Sequence, residues 1–168
     1  MKHSLKLILL LLFILFSAKA AQATGQHQKF IKINYAHSLR ILHQNIIIEL
    51  FTDTQNSEIY KMKIETRAMA HSEYYSEMNI NEVVNIEREY FENIYNRLFE
   101  INIKRIIEEA APRGPVADGS SVNIQFGINP GFISIGIGDP GRMSGEIGKV
   151  DQIIKEIFET AALLDYYE

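Results

Sequence analysis

The 168-residue chain contains no cysteine and no tryptophan. Without cysteine it forms no disulfide, offers no thiolate to a metal, has no thiol nucleophile and gives a lipoprotein-type lipid nothing to attach to. Its stability must come from a packed core. Proline is scarce, with none before Pro112 and only four in all. Basic blocks are missing too: 17 Lys and Arg stand against 21 Asp and Glu, a net charge of −4. Nucleic-acid affinity rests on neutralising phosphates, so no nucleic-acid partner is expected. No polybasic segment exists to hold the chain on anionic lipid.

Long apolar runs are limited to one. Residues 7–16 are unbroken Leu, Ile and Phe, preceded by Lys2 and Lys6 and followed by the A-x-A patterns at Ala18, Ala20 and at Ala21, Ala23. That order of regions reads as a secretory signal peptide. Ten apolar residues are about half of what a membrane-crossing helix needs, so no stable membrane anchor is expected once the signal is cleaved. The expectation is export to a periplasm or the extracellular space, with residues 1–23 as signal and 24–168 as one domain. Cleavage after Ala23 would leave 145 residues and, by removing three lysines and no acid, a charge of −7. A chain of that size can bury a single adequate core.

Period-two alternation appears first. Ile31, Ile33 and Tyr35 share one face of a strand and Lys32 and Asn34 the other. "RILHQNIIIELF" and "EIYKMKIETRA" flank "TDTQNS", whose Asp, Asn and Ser favour a turn, so the pair predicts a hairpin. Tyr60, Met62 and Ile64 point inward there, while Lys61, Lys63, Glu65 and Arg67 point to solvent. Ile46, Ile48 and Leu50 match the inward set. Ile47 and Phe51 fall on the opposite face, as in a strand that is central or partly covered on its second side.

From residue 79 the spacing of Val83, Val84, Phe91, Ile94, Tyr95, Leu98 and Ile101 predicts a helix over 81–102, capped by Asn79 or Asn81. The pattern resumes in "IKRIIEEAA" as a continuation or a second helix, and ends at Pro112 and Pro115. After a loop over 111–121, Val122, Ile124 and Phe126, then Ile133, Ile135 and Ile137, predict a second hairpin, with Pro130 and Gly131 central in a type II turn. Val150, Ile153, Ile154, Ile157, Phe158 and Ala161 predict a final helix, with Lys149, Asp151, Gln152, Lys155, Glu156 and Glu159 outside the stripe. The fold class is therefore α+β: an antiparallel sheet of about five strands, order β-ββ-α-ββ-α, with two main helices on one face.

Candidate chemistry is thin. "GIGDPGRMSGEIGK", residues 136–149, holds G-x-G-x-x-G at Gly136, Gly138 and Gly141. A dinucleotide site needs this turn to open a βαβ unit with an acid about 20 residues further on. Only one helix follows Gly141, and Pro140 blocks an early helix start. The phosphate loop of nucleotide hydrolases fails as well, because Met143 and Val150 stand at required Gly and Ser/Thr positions. No cofactor is expected. A weaker anion contact remains at Arg142, Ser144 and Lys149, where a helix start collects unpaired N–H groups; alternatively Ser144 is only a cap.

His27, His37, His43 and His71 are not at helical ligand spacing, so no metal site is expected. Ser38 beside His37 is no catalytic pair, since neighbours on a strand face opposite ways, and no G-x-S-x-G elbow occurs. Glu87, Glu89 and Glu92 read as a solvated helix face. Tyr74, Tyr75 and Tyr166, Tyr167 read as rings split between core and rim. With each testable catalytic pattern missing, the expected function is a non-enzymatic binding or interaction module for a protein partner, contacting it through the wet sheet face or the 112–121 loop. The competing class is a small hydrolase assembling His43, His71 and the helical glutamates in the fold.

Overall fold

A computed structural model describes residues 28–37, 43–53, 56, 58–68, 79–109, 120–138 and 144–167. Residues 1–23, expected to be a signal, and His27, His71, Tyr74, Tyr75, Arg142 and almost all of the 112–121 loop lie outside the described residues.

The chain runs β1 (Lys29–His37), β2 (Asn45–Thr52), β3 (Tyr60–Arg67), β4 (Asn81–Ile86), α1 (Arg88–Phe99), α2 (Ile103–Glu109), β5 (Ser120–Ile128), β6 (Gly131–Gly138) and α3 (Gly145–Thr160), then a short 3-10 turn at Leu164–Tyr166. All six strands join one sheet in the order β4-β3-β2-β1-β5-β6, and every neighbouring pair is antiparallel. The α+β class, the antiparallel sheet and the two main helices are as the sequence implies, and α2 is a short third helix.

Strand alternation sorts the residues as the pattern requires. Ile31, Ile33, Ile46, Ile48, Leu50, Met62, Ile124 and Phe126 are all fully buried on one face. Each such side chain contributes on the order of 1.5–3 kcal/mol relative to exposure. The helices cover this face. Phe91 of α1 meets Tyr60 of β3 with ring centroids 5.0 Å apart, and Phe158 of α3 meets Tyr35 of β1 edge to face at 5.6 Å. Tyr167 closes the core beside Phe158 at 4.9 Å. Its neighbour Tyr166 lies at the rim, only partly buried.

Three details depart from the sequence reading, and at Asn102 the structure takes one of the two alternatives it offered. Residues 81–86 form β4 rather than the first turns of a helix, which makes six strands; α1 starts at Arg88, with Glu87 rather than an asparagine at its N-cap position. Val83 and Val84 fit the helical spacing by coincidence, because an edge strand exposed on both faces shows no alternation. The helical pattern after it breaks at Asn102, whose Oδ1 accepts the Arg105 N–H at 3.2 Å and so caps α2 as a separate helix. The second hairpin turns on Asn129 and Pro130, since Ile128 pairs with Gly131; their peptide bond is cis, and Gly131 lacks the positive φ of a type II turn. Finally, β2 begins at Asn45, so His43 lies in the preceding turn, with φ 49°.

Candidate functional site: the uncovered sheet face

Among the described residues no helix packs on the second face of the sheet. Its charges are paired with one another. Lys32 and Glu49 stand directly opposite in register and form an ion pair, and Lys61 pairs with Asp53. Glu65 accepts from Arg67 Nη2 at 2.6 Å and Nε at 2.9 Å, and from Lys63 Nζ at 3.3 Å. Hydrogen bonds from Arg67, then from Lys63, hold the Glu65 carboxyl below the usual carboxylate range.

The charged rows separate two troughs. One, of about 650 Å³, is floored by Asn34, Asn45, Ile47, Asn123, Gly136 and Gly138, with Arg67 at its side. Glycine keeps that floor low: a Cβ on Gly138 would meet nothing within 4 Å. Asn123 Nδ2 donates to Ser134 Oγ at 3.0 Å across the β5–β6 pair. The other trough, of about 480 Å³, is aromatic and is lined by Phe30, Phe51, Pro130 and Phe132, with Lys32 and Glu49 at its rim. Phe30 and Phe132 pack edge to face at 6.4 Å, and Phe132 leaves 57% of its surface exposed. Ile47 and Phe51, the residues that broke the alternation of β2, are therefore the floor of one trough and a wall of the other.

The expected anion contact is placed only in part, as Arg142 lies outside the described residues. Ser144 occupies the N-cap position of α3 with an extended backbone, but its side chain makes no capping bond. Lys149 Nζ contacts Glu146 Oε1 at 2.6 Å. The second oxygen of Glu146 accepts the Asn102 N–H at 3.1 Å, tying the start of α2 to α3. The Lys149 and Asn102 hydrogen bonds hold the Glu146 carboxyl below its ordinary range. The cation proposed for a ligand thus already serves a carboxylate of its own chain.

His43 is buried against Tyr166, ring centroids 4.6 Å apart. Its Nδ1 finds no hydrogen-bond partner among the described residues, and burial lowers its pKa, favouring the neutral ring. Of the helical glutamates, Glu92 does more than face solvent: it accepts from Lys29 Nζ at 2.7 Å and from Tyr60 Oη at 3.2 Å. Burial alone would raise its pKa, but the Lys29 ammonium and the Tyr60 hydroxyl outweigh it and the net shift is downward. Lys29 also lies over the Tyr95 ring at 4.9 Å, a cation–π contact. This cluster joins β1, β3 and α1.

One further polar contact escaped the sequence reading. Asp151, placed by its spacing outside the α3 stripe, is buried and accepts the Tyr167 hydroxyl at 2.5 Å. Burial and that carboxylate push the Tyr167 hydroxyl far above its ordinary pKa. No group of three or more His, Asp or Glu that could hold a metal occurs among the described residues. No described helix is long and apolar enough to cross a membrane.

Among the described residues, fold and surface together define an antiparallel α+β structure with one bare, troughed sheet face. No protein-family model matches the chain, and no curated protein is significantly similar to it.

Proposed function

We propose that the chain is a non-enzymatic binding module whose uncovered sheet face docks a partner protein. The observation that carries this is the aromatic trough of Phe30, Phe51, Pro130 and Phe132, half open to solvent and rimmed by an internally neutralised Lys32–Glu49 pair. Protein interfaces favour such a centre: aromatic residues that desolvate together inside a polar rim. Charges already paired within the face cost less to desolvate on docking than an isolated charge would. The export reading, which rests on the Lys2, Lys6 and 7–16 pattern, puts the partner in the cell envelope or outside the cell. The hydrolase alternative gains no specific support, because the buried Nδ1 of His43 meets no carboxylate among the described residues.

The test is affinity capture from the cell envelope with the wild-type protein and with Phe132→Ser, which alters an exposed ring and leaves the core intact. A protein retained by the wild type and lost by the variant supports the reading. Equal retention by both, or turnover of an envelope substrate with no retained protein, contradicts it.

A further inference from the structure

The sheet has two outer edges, and they are not alike. β4, at one end, has six residues and includes Glu82. β6, at the other, has eight, GFISIGIG, with no charge and no proline. Natural edge strands usually carry such residues or are kept short, because an unpaired row of N–H and C=O groups invites another strand. Among the described residues nothing pairs with the outer side of β6.

The hydrogen-bond phase of that edge follows from β5. Asn129 N–H donates to the Gln28 carbonyl at 3.2 Å, so in this antiparallel ladder the odd residues of β5 bond toward β1 and the even ones toward β6. The β6 partners of those even residues are Ile133, Ile135 and Ile137. The backbone groups of Phe132, Ser134, Gly136 and Gly138 therefore face outward.

From this phase we infer that β6 pairs antiparallel with β6 of a second copy, about a two-fold axis at Ile135, joining two sheets edge to edge. In that register Ser134 bonds Gly136 and Phe132 bonds Gly138 of the other copy, while Ile135 meets itself and Ile133 meets Ile137. Phe132 and Ser134 each lie opposite a glycine on the open face, the arrangement that Phe132 already makes with Gly127 inside the chain. β-Branched pairs face each other on the core side. The partner is a second copy rather than an unrelated strand because the sequence is complementary to itself under this operator. In an acidic chain, this is also the edge that brings no charges together. The pairing is independent of the binding-module reading, though it would set the aromatic trough of one copy beside the glycine-floored trough of the other.

Sedimentation of the purified protein tests the pairing, together with single-cysteine variants in a chain that has no native cysteine. The wild type is expected to sediment as a dimer. Ile135→Cys should form an intermolecular disulfide on air oxidation, since residues meeting at a non-hydrogen-bonded pair have Cα atoms about 4.5 Å apart; Val83→Cys on β4 should not. Gly136→Pro removes only an outward N–H and should weaken the dimer at least about tenfold with an unchanged circular dichroism spectrum. Ser134→Lys, exposed in the monomer, should do the same by placing charge at the axis. A wild type that stays monomeric up to about 1 mM, or folded Gly136→Pro and Ser134→Lys variants that dimerise as tightly as the wild type, would overturn the inference.

Discussion

The two faces of the sheet are built from the same strands, alternating residue by residue, yet helices cover one and, among the described residues, none covers the other. On β5, Phe126 is fully buried under the helices while its neighbour Gln125 lines the aromatic trough on the open side. On β3, Met62 is in the core and Lys63 takes part in a surface charge row. Burial is concentrated on one face, so truncating a side chain on the other should cost little.

Breaking the comparison from the core side should give the largest effect. Phe126→Ala is expected to lower unfolding free energy by about 3–5 kcal/mol, and Gln125→Ala on the same strand to stay within about 0.5 kcal/mol, both read by urea denaturation. Equal losses would mean the open face is not separate from the core. Next comes the buried hydrogen bond behind the sheet. Tyr167→Phe keeps the ring and deletes the hydroxyl that Asp151 accepts, at an expected cost of about 1.5–3 kcal/mol in the same assay.

Glycines sharpen the contrast within the open face itself. A Cβ at Gly127 would run into the Gly131 carbonyl oxygen and come within 2.7 Å of Phe132 Cα, so backbone must shift. Gly127→Ala should therefore destabilise by about 1–3 kcal/mol. Gly138→Ala, into open space, should be neutral or gain up to about 1 kcal/mol through the unfolded chain.

The smallest effect is one of pH. Burial lowers the pKa of His43 below its ordinary 6.5, so below that value the unfolded chain binds the proton more readily than the folded one. The contribution is complete above about pH 6.5 and is lost as pH falls from there through the lowered folded value. His43→Asn, suited to the positive φ, should show a shallower loss of melting temperature between about pH 7.5 and 5 than the wild type. Parallel curves would count against a neutral buried ring.

Much of the fold was legible because it depends on period. Ile31, Ile33 and Tyr35, or Tyr60, Met62 and Ile64, are separated from their polar neighbours by alternation alone. β4 was not legible, because Val83 is 55% exposed on one face and Val84 is also open on the other, so neighbouring valines imitate a helical stripe running into Phe91. Asp151 and Glu146 were opaque for a different reason. An acid on an amphipathic helix reads as solvated, and the partners that bring these two inward, Tyr167 and the Asn102 N–H, lie 16 and 44 residues away. The candidate face was legible as the wet side of the alternation, and within it Ile47 and Phe51, apolar where β2 should be polar, were an anomaly with no stated functional meaning. Alternation marked the face, while the second aromatic wall came from Phe132, whose pairing depends on the Asn129–Pro130 turn.

The most direct test of this division of labour uses two phenylalanines of nearly equal exposure, Phe132 at 57% on the open face and Phe99 at 51% on the helical side. A photo-crosslinking phenylalanine analogue placed at each position in cells should yield, at 132 alone, an adduct with a polypeptide other than this chain. A heterologous adduct at position 99 and none at 132, or only self-adducts at 132, would contradict the open face as the partner surface.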